Sequence, residues 1–127
     1  LQAITIRDQR FEEAKRDMDF IKRYIFPGGF LPSHHAMLTS IMRKTSLNVV
    51  ALDEIGQHYA RTLREWRHRF EASLDQVRGQ GYDERFIRMW RYYLCYCEGG
   101  FIERSIGTCH LLLAKPAAKP VPLTGAL

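Results

Sequence analysis

Apolar positions follow two different periods along the chain, and the shorter period marks three strands. Residues 1–6 form a nearly unbroken, β-branched apolar run, which is typical of a parallel strand covered on both faces. Residues 47–52 and 109–114 have the same character, and Asp53-Glu54 ends the second run. We therefore predict strands at the start, in the middle and near the end of the chain.

Between the first two strands, apolar residues spaced three and four apart predict two helices. The first covers residues 11–25 and ends at residues 26–29, where Phe-Pro-Gly-Gly stops regular structure. Ser33 is a suitable N-cap for the second helix, whose apolar positions are Met37, Leu38, Ile41 and Met42.

Between the last two strands, the same spacing predicts a long helix and then an aromatic one. The long helix follows Gly56 and ends where Gly79 and Gly81 interrupt it; its apolar face carries Tyr59, Leu63, Trp66, Phe70, Leu74 and Val77. Asp83 is placed to cap the next helix, whose inward stripe is predicted to be Phe86, Trp90, Tyr93, Cys97 and Phe101.

The order of these elements is that of an α/β protein: strand, helices, strand, helices, strand. Three strands carry about four helices, which is more helix than so small a sheet needs for the cover of its two faces. We therefore expect further strands upstream, so that residues 1–116 are the C-terminal part of a larger enzyme domain. Residues 117–127 are rich in Ala, Pro and Lys and are predicted to form a disordered tail.

Composition narrows the class of protein further. The 127 residues allow one domain, and no apolar stretch approaches the roughly 20 residues that a membrane span needs. Three cysteines without paired spacing predict reduced thiols, with Cys95 and Cys97 buried as small apolar residues. A net charge of +5 favours an anionic partner, which is either phospholipid headgroups, nucleic acid or an acidic protein.

Common catalytic and metal-binding motifs are weak in this sequence, and no metal site is predicted. The double glycine at residues 28–29 lacks a phosphate-loop pattern, and His34 and His35 diverge by about 100° on a helix. His110 on the last strand is interpreted as a packed or edge histidine. The arginine- and aromatic-rich residues 85–96 are interpreted as a packed helix in preference to a base-stacking surface.

Three phrases in a fixed order carry a family resemblance. They are YIFPGGFLPS at residues 24–33, IGQHYARTLREW at residues 55–66 and RFIRMWRYYL at residues 85–94. Together they resemble the C-terminal region of the cyclopropane-fatty-acyl-phospholipid synthases, which include the mycolic acid cyclopropane synthases. The resemblance runs from residue 1 to about residue 116.

The resemblance implies the seven-stranded, Rossmann-like fold of the S-adenosylmethionine-dependent methyltransferases. Residues 1–6, 47–52 and 109–114 would be its fifth, sixth and seventh strands, with the seventh running antiparallel between the other two. The glycine-rich cofactor loop belongs to the first strand of that fold, so no cofactor-binding residue is expected in this chain.

The family's reaction moves a methyl group from S-adenosylmethionine to a double bond of an unsaturated phospholipid acyl chain, which closes to a cyclopropane as bicarbonate takes a proton. By resemblance, Tyr59 is a bicarbonate ligand, and Gln2 and Ile4 occupy two further bicarbonate-contacting positions. Gln2 stands where the family commonly has histidine, which leaves room for methylation without ring closure. Phe26 and Leu31 are expected to help enclose the acyl chain, and a role in the core serves equally well.

These implications place the protein in the cytoplasm, at the periphery of the inner membrane, with an unsaturated phospholipid as its partner and without nucleic acid. The chain by itself is expected to be inactive because it lacks the cofactor loop. The exposed edge of residues 1–6 is predicted to pair two copies into a homodimer. Two alternatives stay open: a non-catalytic basic helical module that binds nucleic acid or anionic membrane, and an enzyme that methylates a small molecule.

Overall fold

The three predicted strands form one sheet. A computed structural model describes residues 1–119, so the predicted tail lies outside the described residues except for its first three. The strands are β1 (Gln2–Ile6), β2 (Asn48–Glu54) and β3 (Ile106–Ala114), in the order β1-β3-β2. Because β3 runs antiparallel to both neighbours, β1 and β2 are parallel to each other. This is the predicted arrangement, with β2 and β3 longer than predicted.

The single helix predicted over residues 11–25 is wrong, because the chain breaks in its middle. Helix α1 (Phe11–Arg16) ends at an extended residue, and a separate π-helical turn covers Ile21–Ile25. The break arises because the Asp19 carboxylate accepts a hydrogen bond from the backbone N–H of Lys22 at 2.9 Å and starts a new segment. Short acidic side chains compete with helical hydrogen bonds in this way, although apolar periodicity continues through them.

The next two helix predictions concern where α2 begins and whether the helix after β2 is continuous. Helix α2 (His34–Lys44) begins as predicted at Ser33, whose side-chain oxygen accepts a hydrogen bond from a backbone N–H three residues on. The single long helix predicted after β2 is wrong in one respect, since it is divided into α3 (Gly56–Ala72) and α4 (Leu74–Gly79). The division falls at Ser73, where φ is −105° and ψ is 10°.

Helix α5 (Glu84–Ile102) packs against α3 and forms the core with it. The buried residues of the two helices make one cluster of Ala60, Leu63, Leu94 and Phe101. The predicted inward stripe of α5 is displaced, since only Phe101 of its five residues is buried and the others are half-buried. The inner positions lie one residue further along the chain, at Ile87, Leu94 and Glu98.

The cysteines are free thiols, and their burial differs from the prediction. Cys109 is buried and Cys97 is half-buried, whereas Cys95 is exposed on the outer face of α5. Burial raises the pKa of Cys97 to about 11. This thiol therefore stays protonated and poorly reactive at neutral pH.

Asp83 caps α5, as predicted: its carboxylate accepts a hydrogen bond from the backbone N–H of Phe86 at 2.8 Å. Asp83→Ala is expected to lower the free energy of unfolding of the 127-residue chain by about 1 kcal/mol, measured by urea denaturation, because the helix loses this acceptor. Asp83→Asn keeps an acceptor oxygen and is the matched control, with a clearly smaller loss. Equal losses for the two variants would contradict the capping role.

Strand β1 lies at one edge of the described sheet. Within residues 1–119, β3 pairs with it on one side and no strand pairs with it on the other. Gln2 and Ile4 are exposed whereas Thr5 is buried, so the predicted cover of both faces does not hold within the described part of the chain. The pairing of two copies through this edge stays a prediction.

Candidate functional site

Three side chains form a hydrogen-bonded row across β1, β3 and α3. The Gln2 amide Nε2 donates to Tyr59 Oη at 2.8 Å, and its Oε1 lies 2.9 Å from His110 Nε2. The structure thus joins two of the predicted anion-contacting residues, which are 57 positions apart in the sequence. It also adds His110, which is exposed and lies on the central strand. The interpretation of His110 as a packed or edge histidine is therefore wrong.

The register of the sheet explains why the amide reaches the imidazole. Leu1 and Leu111 exchange two backbone hydrogen bonds, at 2.9 and 2.8 Å. By alternation along antiparallel strands, the next pair, Gln2 and His110, is a non-hydrogen-bonded pair, whose side chains approach most closely. On the other side of β3, Asp53 of β2 lies opposite His110. Gln2, His110 and Asp53 therefore lie side by side across the three described strands.

Helix α3 lies close to the sheet, and this brings Tyr59 within reach of Gln2. A Cβ added at Gly56, the first residue of α3, would lie only 3.2 Å from the backbone nitrogen of Thr108. A larger residue there would push the helix start away from β3. The Tyr59 ring packs on Phe101 of α5, with ring centroids 5.3 Å apart. Packing therefore fixes the ring, and the hydroxyl extends to Gln2.

Ile4, the third predicted anion-contacting residue, has its backbone directed to the free edge of β1. The N–H of Ile6 points away from β3, since it donates to the Pro32 carbonyl at 3.0 Å. Because backbone groups alternate along a strand, the N–H of Ile4 points to the same side. Within residues 1–119 no strand pairs there, so this N–H lies on the side of β1 that carries no ladder partner.

The donors left free in this region suit a small anion. Tyr59 Oη accepts from Gln2, so the phenol proton itself is free to be donated. The Gln2 amide nitrogen has a second N–H that is also available. Hydrogen bonds to an ionised acceptor are about twice as strong as those between neutral groups, so a small anion gains from such a set.

The predicted acyl-chain residues lie apart from the row. Phe26 is 55% exposed and its ring contacts Tyr93 of α5 with centroids 6.2 Å apart, while Leu31 is half-buried. Tyr93 and Tyr59 pack against the same core cluster. Within residues 1–119, however, no hydrogen bond or ring contact links Phe26 or Leu31 to Gln2 or Tyr59. Within this part of the chain, Phe26 and Tyr59 are therefore connected only through the core cluster, by way of Tyr93.

A cleft of about 480 Å³ opens beside the ends of β1 and β2, and it has no counterpart among the sequence predictions. The Glu54 carboxylate at this cleft accepts hydrogen bonds from the backbone N–H groups of Gly56 at 3.1 Å and Thr108 at 2.9 Å. Its other oxygen lies 3.6 Å from His34 Nε2. Glu54 thus ties the first residue of α3 to β3, and its second oxygen lies close to the first residue of α2. Its partners are mainly backbone groups, which leave no signal in a sequence.

No three His, Cys, Asp or Glu side chains among residues 1–119 lie close enough together to hold a metal ion. None of the helices in the same range combines the length and the apolar character that crossing a membrane requires.

Known proteins resemble this chain over most of its length. The family model of mycolic acid cyclopropane synthetase matches residues 1–111. The chain belongs to this family. The resemblance drawn from the three sequence phrases is thereby confirmed.

Three of the curated relatives of this chain come from bacteria. The tuberculostearic acid methyltransferase UfaA1 of Mycobacterium tuberculosis is 43% identical over 101 residues, which cover 80% of this chain and 24% of that protein. A probable fatty acid methyltransferase of Pseudomonas putida is 35% identical over 100 residues, covering 79% and 25%. The cyclopropane-fatty-acyl-phospholipid synthase of Escherichia coli K12 is 38% identical over 89 residues, covering 68% and 22%. The chain thus spans about a quarter of the length of these relatives.

Solved structures of the family share the fold. Mycolic acid cyclopropane synthase CmaA1, complexed with SAH and CTAB, matches with a TM-score of 0.78 and 25% identity, covering 91% of this chain and 43% of that one. Cyclopropane synthase MmaA2 from Mycobacterium tuberculosis matches with a TM-score of 0.75 and 24% identity over the same shares. The predicted α/β methyltransferase fold, of which this chain forms a part, is confirmed.

Proposed function

We propose that this chain is the C-terminal part of an S-adenosylmethionine-dependent methyltransferase that methylates a double bond in an unsaturated phospholipid acyl chain and closes it to a cyclopropane. The observation that carries the proposal is the 2.8 Å hydrogen bond between Gln2 and Tyr59, because it assembles two expected anion ligands from distant parts of the sequence. The relatives support an acyl substrate, since they include a probable fatty acid methyltransferase and a cyclopropane-fatty-acyl-phospholipid synthase.

The donors at Tyr59 and Gln2 suit a bicarbonate ion, because each has a free O–H or N–H and bicarbonate has oxygens that accept such bonds. The backbone N–H of Ile4 at the free edge of β1 is proposed as the third donor. When bound, bicarbonate supplies the base and S-adenosylmethionine, held by residues outside this chain, supplies the methyl group. The part of Tyr59 is to hold and orient the anion through its phenol proton. This hydrogen bond is strongest where water is excluded, because the local dielectric is then low.

The aromatic surface formed by Phe26 and Tyr93 suits the acyl chain. The Phe26 ring meets Tyr93 edge-on, and burial raises the pKa of Tyr93, so this surface is uncharged. Covering an apolar surface with acyl methylene groups yields about 0.8 kcal/mol for each CH₂ removed from water. We therefore place the acyl chain against Phe26 and against Leu31, which follows on the same loop.

The proposed substrate implies a protein at the cytoplasmic face of the inner membrane. A net charge of +5 supports attraction to anionic headgroups. The alternative of a basic binding module has less support, since several arginines of α3, α4 and α5 form ion pairs within the fold, namely Arg64, Arg67, Arg78 and Arg91. These side chains are not free to form one basic face.

Lipid analysis tests the proposal. The complete methyltransferase, produced in a bacterium that lacks its own cyclopropane synthase, is expected to yield phospholipid acyl chains that are heavier by one CH₂. Proton NMR of the extracted lipids should show upfield cyclopropane signals in place of olefinic ones. Unchanged acyl masses would contradict the substrate. A CH₂ gain with olefinic protons retained would contradict ring closure and leave methylation, the outcome that Gln2 makes conceivable.

The 127-residue chain alone is the matched comparison in this test. We expect it to bind no S-adenosylmethionine in isothermal titration and to produce no modified lipid, because the resemblance assigns the cofactor loop to a strand that this chain does not contain. Methyl transfer by the chain alone would contradict this part of the proposal.

A further inference from the structure

We propose that His110 is a positioning residue for Tyr59 and acts through the amide of Gln2. The inference rests on the proposed function, in which Tyr59 donates its phenol proton to a small anion. Its basis is the row itself: His110 Nε2 lies 2.9 Å from Gln2 Oε1, and Gln2 Nε2 lies 2.8 Å from Tyr59 Oη. His110 does not touch the anion in this arrangement. It sets the direction in which the hydrogen bonds of the row run.

Hydrogen-bond chemistry fixes that direction from the His110 end. In the orientation that the structure gives the Gln2 amide, Oε1 faces His110 and has no proton, so this hydrogen bond requires a proton on His110 Nε2. The nitrogen of the same amide can only donate, so Tyr59 Oη accepts from it. A phenol oxygen that accepts from Gln2 keeps its own proton for another acceptor. In the proposed function that acceptor is the bound anion.

If the hydrogen bonds of the row ran in the opposite direction, Tyr59 could not donate its proton to the anion. If the Gln2 amide turned over, its oxygen would face Tyr59 and its NH₂ group would face His110. The phenol would then donate to Gln2 and have no proton left for the anion. The oxygen and nitrogen of an amide are nearly equal in size, so only the hydrogen-bond partners decide between the two orientations. As a donor at Nε2, His110 selects the productive one.

The exposed position of His110 distinguishes a positioning role from a contribution to core packing. Its backbone is held in the central strand by pairing with Gln2 on one side and with Asp53 on the other. Its side chain is exposed, so the imidazole is not needed to fill the core. Surface substitutions of this kind usually change stability by less than about 0.5 kcal/mol. A large functional effect of changing His110 would therefore come from the row and not from unfolding.

The proton position on His110 tests the inference on the 127-residue chain itself. Nitrogen-15 NMR is expected to show the neutral His110 protonated almost wholly on Nε2, beyond the preference of a free imidazole, and Gln2→Leu is expected to return the tautomer ratio to that of a free imidazole. A neutral imidazole with its proton on Nδ1 alone would overturn the inference. This measurement does not depend on methyl transfer, so it decides about His110 even if the proposed function fails in the lipid analysis.

A double-mutant cycle in the complete methyltransferase tests the coupling to Tyr59. His110→Ala is expected to raise the KM for bicarbonate about tenfold, the effect of one lost hydrogen bond, with little change in the KM for S-adenosylmethionine. In a Gln2→Leu background, His110→Ala should have no further effect, because the link to Tyr59 is already broken. Leu112→Ala changes an exposed residue on the same face of β3 and is the matched control, with both constants unchanged.

Two outcomes of the cycle would overturn the inference. One is an effect of His110→Ala that persists in full in the Gln2→Leu background, since it would not pass through the amide. The other is an equal effect of His110→Ala on both KM values, which is what a general structural disturbance produces. A protein that methylates no lipid at all would refute the proposed function, and the NMR measurement would then carry the decision on His110.

Discussion

Tyr59→Phe is expected to lower the rate of methyl transfer by the complete methyltransferase about 100- to 1000-fold. This is the loss typical of removing one preorganised donor from a site that stabilises an anion. The phenyl ring remains, so its packing on Phe101 is kept. The Gln2 amide loses an acceptor, but its contact with Tyr59 is exposed and water replaces the hydroxyl. Stability should therefore change by less than about 0.5 kcal/mol.

Release of S-adenosylhomocysteine in the presence of unsaturated phospholipid vesicles measures this rate, and urea denaturation measures stability. Tyr82→Phe is the matched control, because Tyr82 is 46% exposed, stacks on Phe86 and precedes α5. Its rate should equal that of the unchanged protein. An unchanged rate for Tyr59→Phe would contradict the bicarbonate role. A large loss of stability would instead make Tyr59 a packing residue.

The strands of this chain are predictable from the sequence to a greater degree than its helices. Short β-branched runs have few other uses, so β1, β2 and β3 all lie where apolar runs predict them. Apolar periodicity also locates the helices, yet it does not reveal where they break. Asp19 ends one pattern through a side-chain bond to the backbone, and Ser73 divides another. The break at Asp19 depends on a single polar contact, to which a window of apolar spacing is insensitive.

The candidate site was predictable only in part, because its geometry depends on strand register. The resemblance identifies Tyr59, Gln2 and Ile4 individually, but it does not tell how far apart they lie in the folded chain. That His110 lies opposite Gln2 follows from the pairing of β1 with β3, which are joined by nearly the whole length of the chain. A one-residue shift of that register would turn His110 to the other face of the sheet. Its role therefore becomes visible only in the folded structure.

Glu98→Ala is expected to destabilise the fold strongly. Glu98 is only 7% exposed, and its carboxylate accepts hydrogen bonds from Arg64 at 2.8 Å and from Arg67 at 3.1 Å. Both arginines belong to α3, so this carboxylate joins α3 to α5 at the edge of the core. Its removal leaves two guanidinium groups without their counter-charge. Because Arg64 is half exposed, we expect a loss of about 2 to 3 kcal/mol in the free energy of unfolding, less than for a fully buried pair.

Urea denaturation of the 127-residue chain measures this loss, and Glu84→Ala is the matched control. Glu84 is bonded to Arg78 at 2.7 Å, as short as the contact at Glu98, but its side chain is 54% exposed. Exposed ion pairs contribute less than about 1 kcal/mol, since water screens both charges. Equal losses for Glu84→Ala and Glu98→Ala would contradict the view that burial makes the Glu98 pair important.

The pH dependence of stability separates the charge of Glu98 from its packing. Burial alone would raise the pKa of Glu98, but the hydrogen bonds from Arg64 and Arg67 outweigh it and hold the pKa below its ordinary 4.5. The unfolded chain therefore binds this proton more readily, so the stabilisation is present above the ordinary pKa and is lost as the pH falls through the folded-state pKa. The difference in free energy of unfolding between the unchanged chain and Glu98→Ala should accordingly shrink below the ordinary pKa. A difference that stays constant down to about pH 3 would show that Glu98 stabilises the fold by packing and not by its charge.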